Sequence, residues 1–189
     1  MTPESSGVPA PAGQRVGPGL GGLRRFGAFL AGLPRGLGVV AAAAWMGFLW
    51  WLSSDTRDPG LNLGLGGFVP NLGHAPLYAT LAVCWLIAWP RERPDHLGAR
   101  PWARLPLASA LTLVALPVAY GVIDEWHQAS VPGRDASPAD LLTDLAGAGA
   151  TVLVARYAGS AGATESGLWK RLGLGVLACL AAAGLATLD

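Results

Sequence analysis

Apolar residues in this chain fall in long runs rather than in short alternating stretches. Five runs, at about 37–53, 72–89, 105–123, 139–157 and 168–188, each have roughly the length a helix needs to cross about 30 Å of hydrocarbon. They are rich in Ala, Leu and Gly and lack period-two alternation, so the pattern predicts helices. An open sheet would leave its edges unsatisfied in lipid. The fourth run is the weakest by hydropathy because Asp140 and Asp144 lie in its first turns, and the fifth carries Lys170 and Arg171 at its start. Charges at helix ends can still reach water. The expectation is an all-α, polytopic membrane helical bundle of about five transmembrane helices.

The chain ahead of these runs is different in kind. Residues 1–20 are rich in Pro, Gly and Ser and show no periodicity, which predicts a disordered tail. Phe26, Phe29, Leu30 and Leu33 then recur at helical spacing beside Arg24, Arg25 and Arg35, predicting a short interfacial helix. The Arg24-Arg25 pair does not read as an export signal, because several further apolar spans follow it. The predicted organisation is a tail with its interfacial helix over 1–35, a four-span membrane domain over 36–158 and an additional C-terminal span over 159–189.

Composition agrees with a membrane solvent. Of the 189 residues 52% are hydrophobic and 13% charged, about half the charged share of an ordinary soluble domain. Eight Trp against three Tyr suit the headgroup region. A net charge of +1 gives no footprint for nucleic acid. Membrane lipids are the expected partners. Cys84 and Cys179 each sit inside an apolar run and read as small hydrophobes, without a disulfide or metal pattern.

Charge distribution orients the spans. With the tail on the cytoplasmic side, that side collects Arg15, Arg24, Arg25, Arg35, Arg91, Arg93, Arg100, Arg104, Arg156, Lys170 and Arg171, eleven of the thirteen basic residues. Only Arg57 and Arg134 fall opposite. The positive-inside rule therefore predicts a cytoplasmic N-terminus. Eight of the twelve acids gather near the other face, among them Asp124, Glu125, Asp140 and Asp144.

Those acids belong to the most informative stretch, YGVIDEWHQASVPGRDASPADLLTDLAGAG at 120–149. If the third span continues through Gln128, Asp124 shares a face with His127 and Gln128 while Glu125 points elsewhere, towards the headgroups. Val131-Pro132-Gly133 breaks the helix, and Arg134 follows with a guanidinium suited to gripping a carboxylate or phosphate. Ser137-Pro138-Ala139-Asp140 has the form of a helix start, with Ser137 as N-cap and Asp140 closing a capping box. That bland role accounts for both residues without a ligand. Asp144 lies a turn deeper on the same face, where an unpaired charge costs about 2.5–3.5 kcal/mol, so it needs a partner, a proton or a wet cavity. Gly147, Ala148 and Gly149 would admit a neighbouring helix closely.

A second cluster opens the second span from the same side. Asn71 is placed to cap it, Pro76 falls near its beginning, and His74 and Tyr78 stack one turn apart. Ser53, Ser54 and Asp55 end the first span there, as polar helix termini usually do. His74, His127, Asp124, Asp140 and Asp144 carry metal-ligating atoms, but no local ligand spacing is present, and no metal or cofactor is assigned. No nucleophile elbow, Walker loop or dinucleotide-binding glycine run occurs. His96 lies among arginines in a loop and reads as solvated.

The run Asp124-Glu125-Trp126-His127-Gln128, with Val131-Pro132-Gly133-Arg134, Ser137, Asp140, Asp144 and Gly147, resembles the VanZ-like family of bacterial integral membrane proteins. His74 with Tyr78 supports the match, which covers about residues 37–157. Two features depart from the family's pattern: Pro70 and Asn71 stand where relatives often have an acid and a base, and Asp144 stands where they commonly have Asn. The resemblance implies a location in the bacterial cytoplasmic (inner) membrane and a link to the teicoplanin resistance associated with the family's namesake.

Two functional classes follow. In the first the chain binds or handles an anionic lipid-linked or cell-wall group at the outer leaflet, with Arg134 as clamp and Gln128, Glu125, Asp140, Asp144 and Tyr78 beside it. In the second it is a membrane-embedded hydrolase or transferase acting on a lipid-linked phosphate, with His127, Asp124 or His74 as the candidate catalytic groups. The absence of a local catalytic signature favours the first.

Overall fold

A computed structural model describes residues 16–54, 67–90, 105–133 and 136–188. Arg134, the loop arginines at 91–104, Arg57, Asp55 and His96 lie outside the described residues, as does the tail proper up to residue 15.

The described residues form six helices: α1 Pro18–Gly32, α2 Arg35–Ser54, α3 Phe68–Ala88, α4 Leu107–Gln128, α5 Asp140–Gly159 and α6 Glu165–Ala186. There are no strands among them. The chain is an all-α membrane bundle: α2, α3, α4 and α6 are each long and apolar enough to cross a bilayer. Helix α5 has 20 residues, spanning about 30 Å at 1.5 Å per residue, but it carries Asp140, Asp144 and Arg156 and is not in that set. Its place in the bundle compensates. It packs against α3, α4, α6 and α1, so its acids are sheltered by its neighbours, while Leu142, Leu145 and Leu153 of α5, like Leu174 and Leu177 of α6, are exposed, as lipid-facing positions should be.

Three apolar clusters hold the helices together. Ala82 and Leu86 of α3 meet Leu113 of α4 and Val152 of α5; Ala42 and Leu49 of α2 meet Leu81 of α3 and Tyr120 of α4; Leu20 of α1 meets Ala158 of α5 and Leu168 of α6. In lipid, packing rather than hydrophobic expulsion drives such association, and small residues set how closely helices approach. Gly147 is the clearest case. A Cβ there would stand 2.1 Å from the Ala75 carbonyl oxygen, so α3 and α5 touch backbone to backbone. Gly149, grouped with it on sequence, has nothing within 4 Å and plays no part in the contact.

Helix α1 begins at Pro18, inside the stretch expected to be tail. Its first amides are captured by a partner far along the chain: Glu165, in the first turn of α6, accepts from Gly19 N (3.0 Å) and Leu20 N (2.8 Å). A carboxylate at a helix N-terminus satisfies otherwise orphaned donors and complements the helix dipole. Arg24 reaches back to the end of α5, donating to the carbonyls of Ala158 (2.9 Å) and Ser160 (3.1 Å). Arg156 donates to Leu105 O ahead of α4 (3.0 Å). The basic residues at this end of the bundle thus also tie helix termini together. Phe26 and Phe29 are exposed, as the interfacial reading expects, and α1 breaks at Leu33-Pro34, where the residue before proline is extended.

Candidate functional site

At the opposite end of the bundle, α3, α4 and α5 bring together a set of polar side chains that are almost completely buried. Asp124, Glu125, Gln128, Asp140, Thr143 and Asp144 each have less than a tenth of their surface exposed. Burial of this many ionisable groups in an apolar bundle is costly, and such groups are retained where they are paired or functional.

Asp144 is at the centre. It is wholly buried, and its Oδ1 lies 3.1 Å from His74 Nδ1. The partner that Asp144 required is therefore the histidine from α3. Its other oxygen occupies the space above Gly121 of α4, where a Cβ would come within 2.5 Å of Asp144 Oδ2. Glycine at 121 thus makes room for the carboxylate, which sequence inspection did not single out. The His74 ring is nearly parallel to that of Tyr78, with centroids 6.2 Å apart, as their one-turn spacing predicts. Tyr78 is 1% exposed, and its hydroxyl, like Asp144 Oδ2 and Thr143 Oγ1, has no hydrogen-bond partner among the described residues. Thr143 is a second residue that was missed. The signal was available, since 140, 143, 144 and 147 share one helical face.

The α4 residues divide in a way the sequence reading did not foresee. Asp124 Oδ2 accepts from Gln128 Nε2 at 3.0 Å, the expected one-turn pair. His127 turns away from both. Its Nε2 lies 2.8 Å from Ser54 Oγ, and its ring stacks on Trp50 at 3.7 Å between centroids. It belongs to the α2–α4 seam rather than to the buried cluster.

Glu125 corrects the expectation that it faces the headgroups. It is buried, and its Oε2 accepts from Ser137 N at 2.9 Å. The expected capping box does not form either: α5 starts at Asp140, with Ala139 rather than Ser137 at its N-cap and no side-chain cap bond. Ser137 does hold the tight turn leading into α5, its Oγ accepting from Ala139 N (3.2 Å) and its carbonyl from Asp140 N (2.9 Å). The reciprocal bond to the Ser137 amide comes from Glu125 instead of Asp140. Freed of that role, Asp140 faces the cluster, within electrostatic reach of His74, Glu125 and Asp144.

Two smaller expectations also change. Asn71 does not cap α3: the helix starts a turn earlier, with Gly67 at its N-cap, and Asn71 N donates to Gly67 O. Pro76 therefore lies well inside the helix. The break after α4 is as expected, with Gly133 at a φ of +82°, a conformation glycine adopts without steric cost.

The structure thus gathers His74, Tyr78, Asp124, Glu125, Gln128, Asp140 and Asp144 at one end of α3, α4 and α5, and leaves His127 outside. No protein-family model, curated protein or solved structure matches the chain. Among the described residues no group of three or more His, Cys, Asp and Glu side chains is arranged to hold a metal ion.

The chemistry of the cluster follows from its inventory. Four carboxylates and one imidazole make it rich in hydrogen-bond acceptors. The Asp144–His74 pair also has the form of an orienting carboxylate behind an imidazole, the arrangement in which a histidine serves as general base.

Proposed function

We propose that the chain is a VanZ-like multi-pass protein of the bacterial cell envelope, which binds a lipid-linked or cell-wall group at the outer leaflet of the cytoplasmic membrane. The observation that carries this reading is the buried cluster itself: Asp144, fully enclosed and held by His74, with Asp124, Gln128, Glu125 and Asp140 around it. These residues come from the stretches that carry the family resemblance. The acceptor-rich cluster would take the hydroxyl and amide donors of a sugar or peptide portion, and the anionic portion falls to Arg134, which lies between α4 and α5 in the sequence. Teicoplanin resistance belongs to this proposal as the phenotype its family namesake suggests.

The test is capture of a polyisoprenyl-diphosphate-linked muropeptide by the purified protein. Wild type should retain it in preference to the bare polyisoprenyl phosphate. Asp144→Asn should lose that preference, and Arg134→Lys, which keeps the charge but loses the two-point fork, should weaken capture of both lipids. Equal retention by wild type and all variants would overturn the reading.

The enzyme reading keeps one specific support, the His74–Asp144 pair at 3.1 Å, and it moves the candidate general base from His127 to His74. Under this reading the same incubation releases a product, and His74→Gln abolishes the release while the lipid is still bound.

A further inference from the structure

The Ala75–Gly147 seam divides the bundle into two unlike sides. On one side lies the buried polar cluster. On the other, a groove of about 700 Å³ runs between α3, α5 and α6, with Leu23, Phe26 and Leu30 of α1 at one end. On α3 its lining extends from Val69 to Leu86, about 25 Å at 1.5 Å per residue, or most of the hydrocarbon thickness of a bilayer. The walls are almost entirely apolar, and Arg171 is the only ionisable group among them apart from the Cys179 thiol.

Arg171 stands at the end of the groove nearest α1, with its position set from two sides. Its guanidinium carbon lies 3.6 Å from the centre of the Tyr157 ring, and Nη1 donates to Gly167 O at 3.0 Å. Stacking and one hydrogen bond fix the planar fork while leaving N–H donors for an anion. Lys170 is exposed beside it. A long apolar slot ending at a positioned guanidinium, with a second exposed cation beside it, is complementary to a hydrocarbon chain that ends in a phosphate head group of net negative charge and opposes one whose phosphate is offset by a choline cation.

We infer that this groove holds one acyl chain of an acidic glycerophospholipid, with its phosphate on Arg171, in the leaflet opposite the polar cluster. The site is independent of the proposed ligand at His74 and Asp144, because the α3–α5 backbone contact lies between them. Its role is to bind a structural lipid that fills the groove between α6 and the α3–α5 pair.

Native mass spectrometry of the full chain, released from detergent containing equal phosphatidylglycerol and phosphatidylcholine, tests this. Wild type should retain phosphatidylglycerol at least fivefold over phosphatidylcholine. Arg171→Glu should bring that ratio near one, and Val176→Trp, which fills the groove, should lower retention of both lipids severalfold. Leu174→Trp, on the exposed side of α6, should change neither. Equal retention of the two lipids by wild type, or undiminished retention by a folded Val176→Trp, would overturn the inference. A second readout dispenses with the groove variants. In a Cys84→Ala background, phosphatidylglycerol should slow maleimide alkylation of Cys179, which lines the groove, severalfold more than phosphatidylcholine does; equal slowing by both lipids contradicts the assignment.

Discussion

His74 and Asp144, seventy positions apart in the chain, meet at 3.1 Å with the carboxylate fully buried. The pair joins α3 to α5 where the two backbones are already in contact through Ala75 and Gly147. It therefore sits beside a backbone-to-backbone approach of the two helices, and the geometry of the site depends on that approach.

Gly147 should be intolerant of any side chain. Because a Cβ would fall 2.1 Å from the Ala75 carbonyl oxygen, Gly147→Ala must push α3 and α5 apart, at a cost of about 1–3 kcal/mol from overpacking. Gly149→Ala, with open space around it, should be neutral or slightly stabilising through helix propensity. Thermal denaturation in detergent distinguishes the two, and equal midpoints would contradict the packing described.

Glu165 should control the order of α1. Glu165→Ala removes the acceptor for Gly19 N and Leu20 N, a loss of about 1–2 kcal/mol of local stability. Amides at 19–24 should exchange with deuterium roughly ten times faster, while those of α3 keep their protection. Glu165→Gln, which retains a side-chain carbonyl, should give a smaller increase.

Glu125 should order the entry to α5. Glu125→Ala leaves the Ser137 amide without its acceptor, at about 1–3 kcal/mol if that donor stays dry, whereas Glu125→Gln preserves an oxygen at the same place. Limited proteolysis at 136–139 should be enhanced in the alanine variant and near wild type in the glutamine variant. Similar cleavage of both would mean the bond does not hold the turn.

The number and placement of the helices were legible because the membrane demands about twenty apolar residues per crossing, and that demand is written in runs. Even the polarity of α5 was visible in Asp140 and Asp144, although their sheltered position was not. The one-turn pairs His74 with Tyr78 and Asp124 with Gln128 were also readable, since spacing within a helix fixes who shares a face. What escaped depends on rotation of one helix against another. His127 and Gln128 both satisfy the spacing to Asp124, yet one enters the cluster and the other stacks on Trp50. Glu125 faces inwards because Ser137 offers an amide there, a partner twelve positions away. The role of Gly121 exists only once Asp144 is laid across α4.

The central claim is that polar groups from separate helices meet and hold one another inside the bundle. A double-mutant cycle on His74→Leu and Asp144→Leu, read from unfolding midpoints in detergent, tests it most directly. His74→Leu alone should destabilise by about 3–5 kcal/mol by stranding the buried carboxylate, and the double variant should recover a large part of that loss, giving a coupling of at least about 1.5 kcal/mol. Effects that simply add, within about 0.5 kcal/mol, would contradict the account.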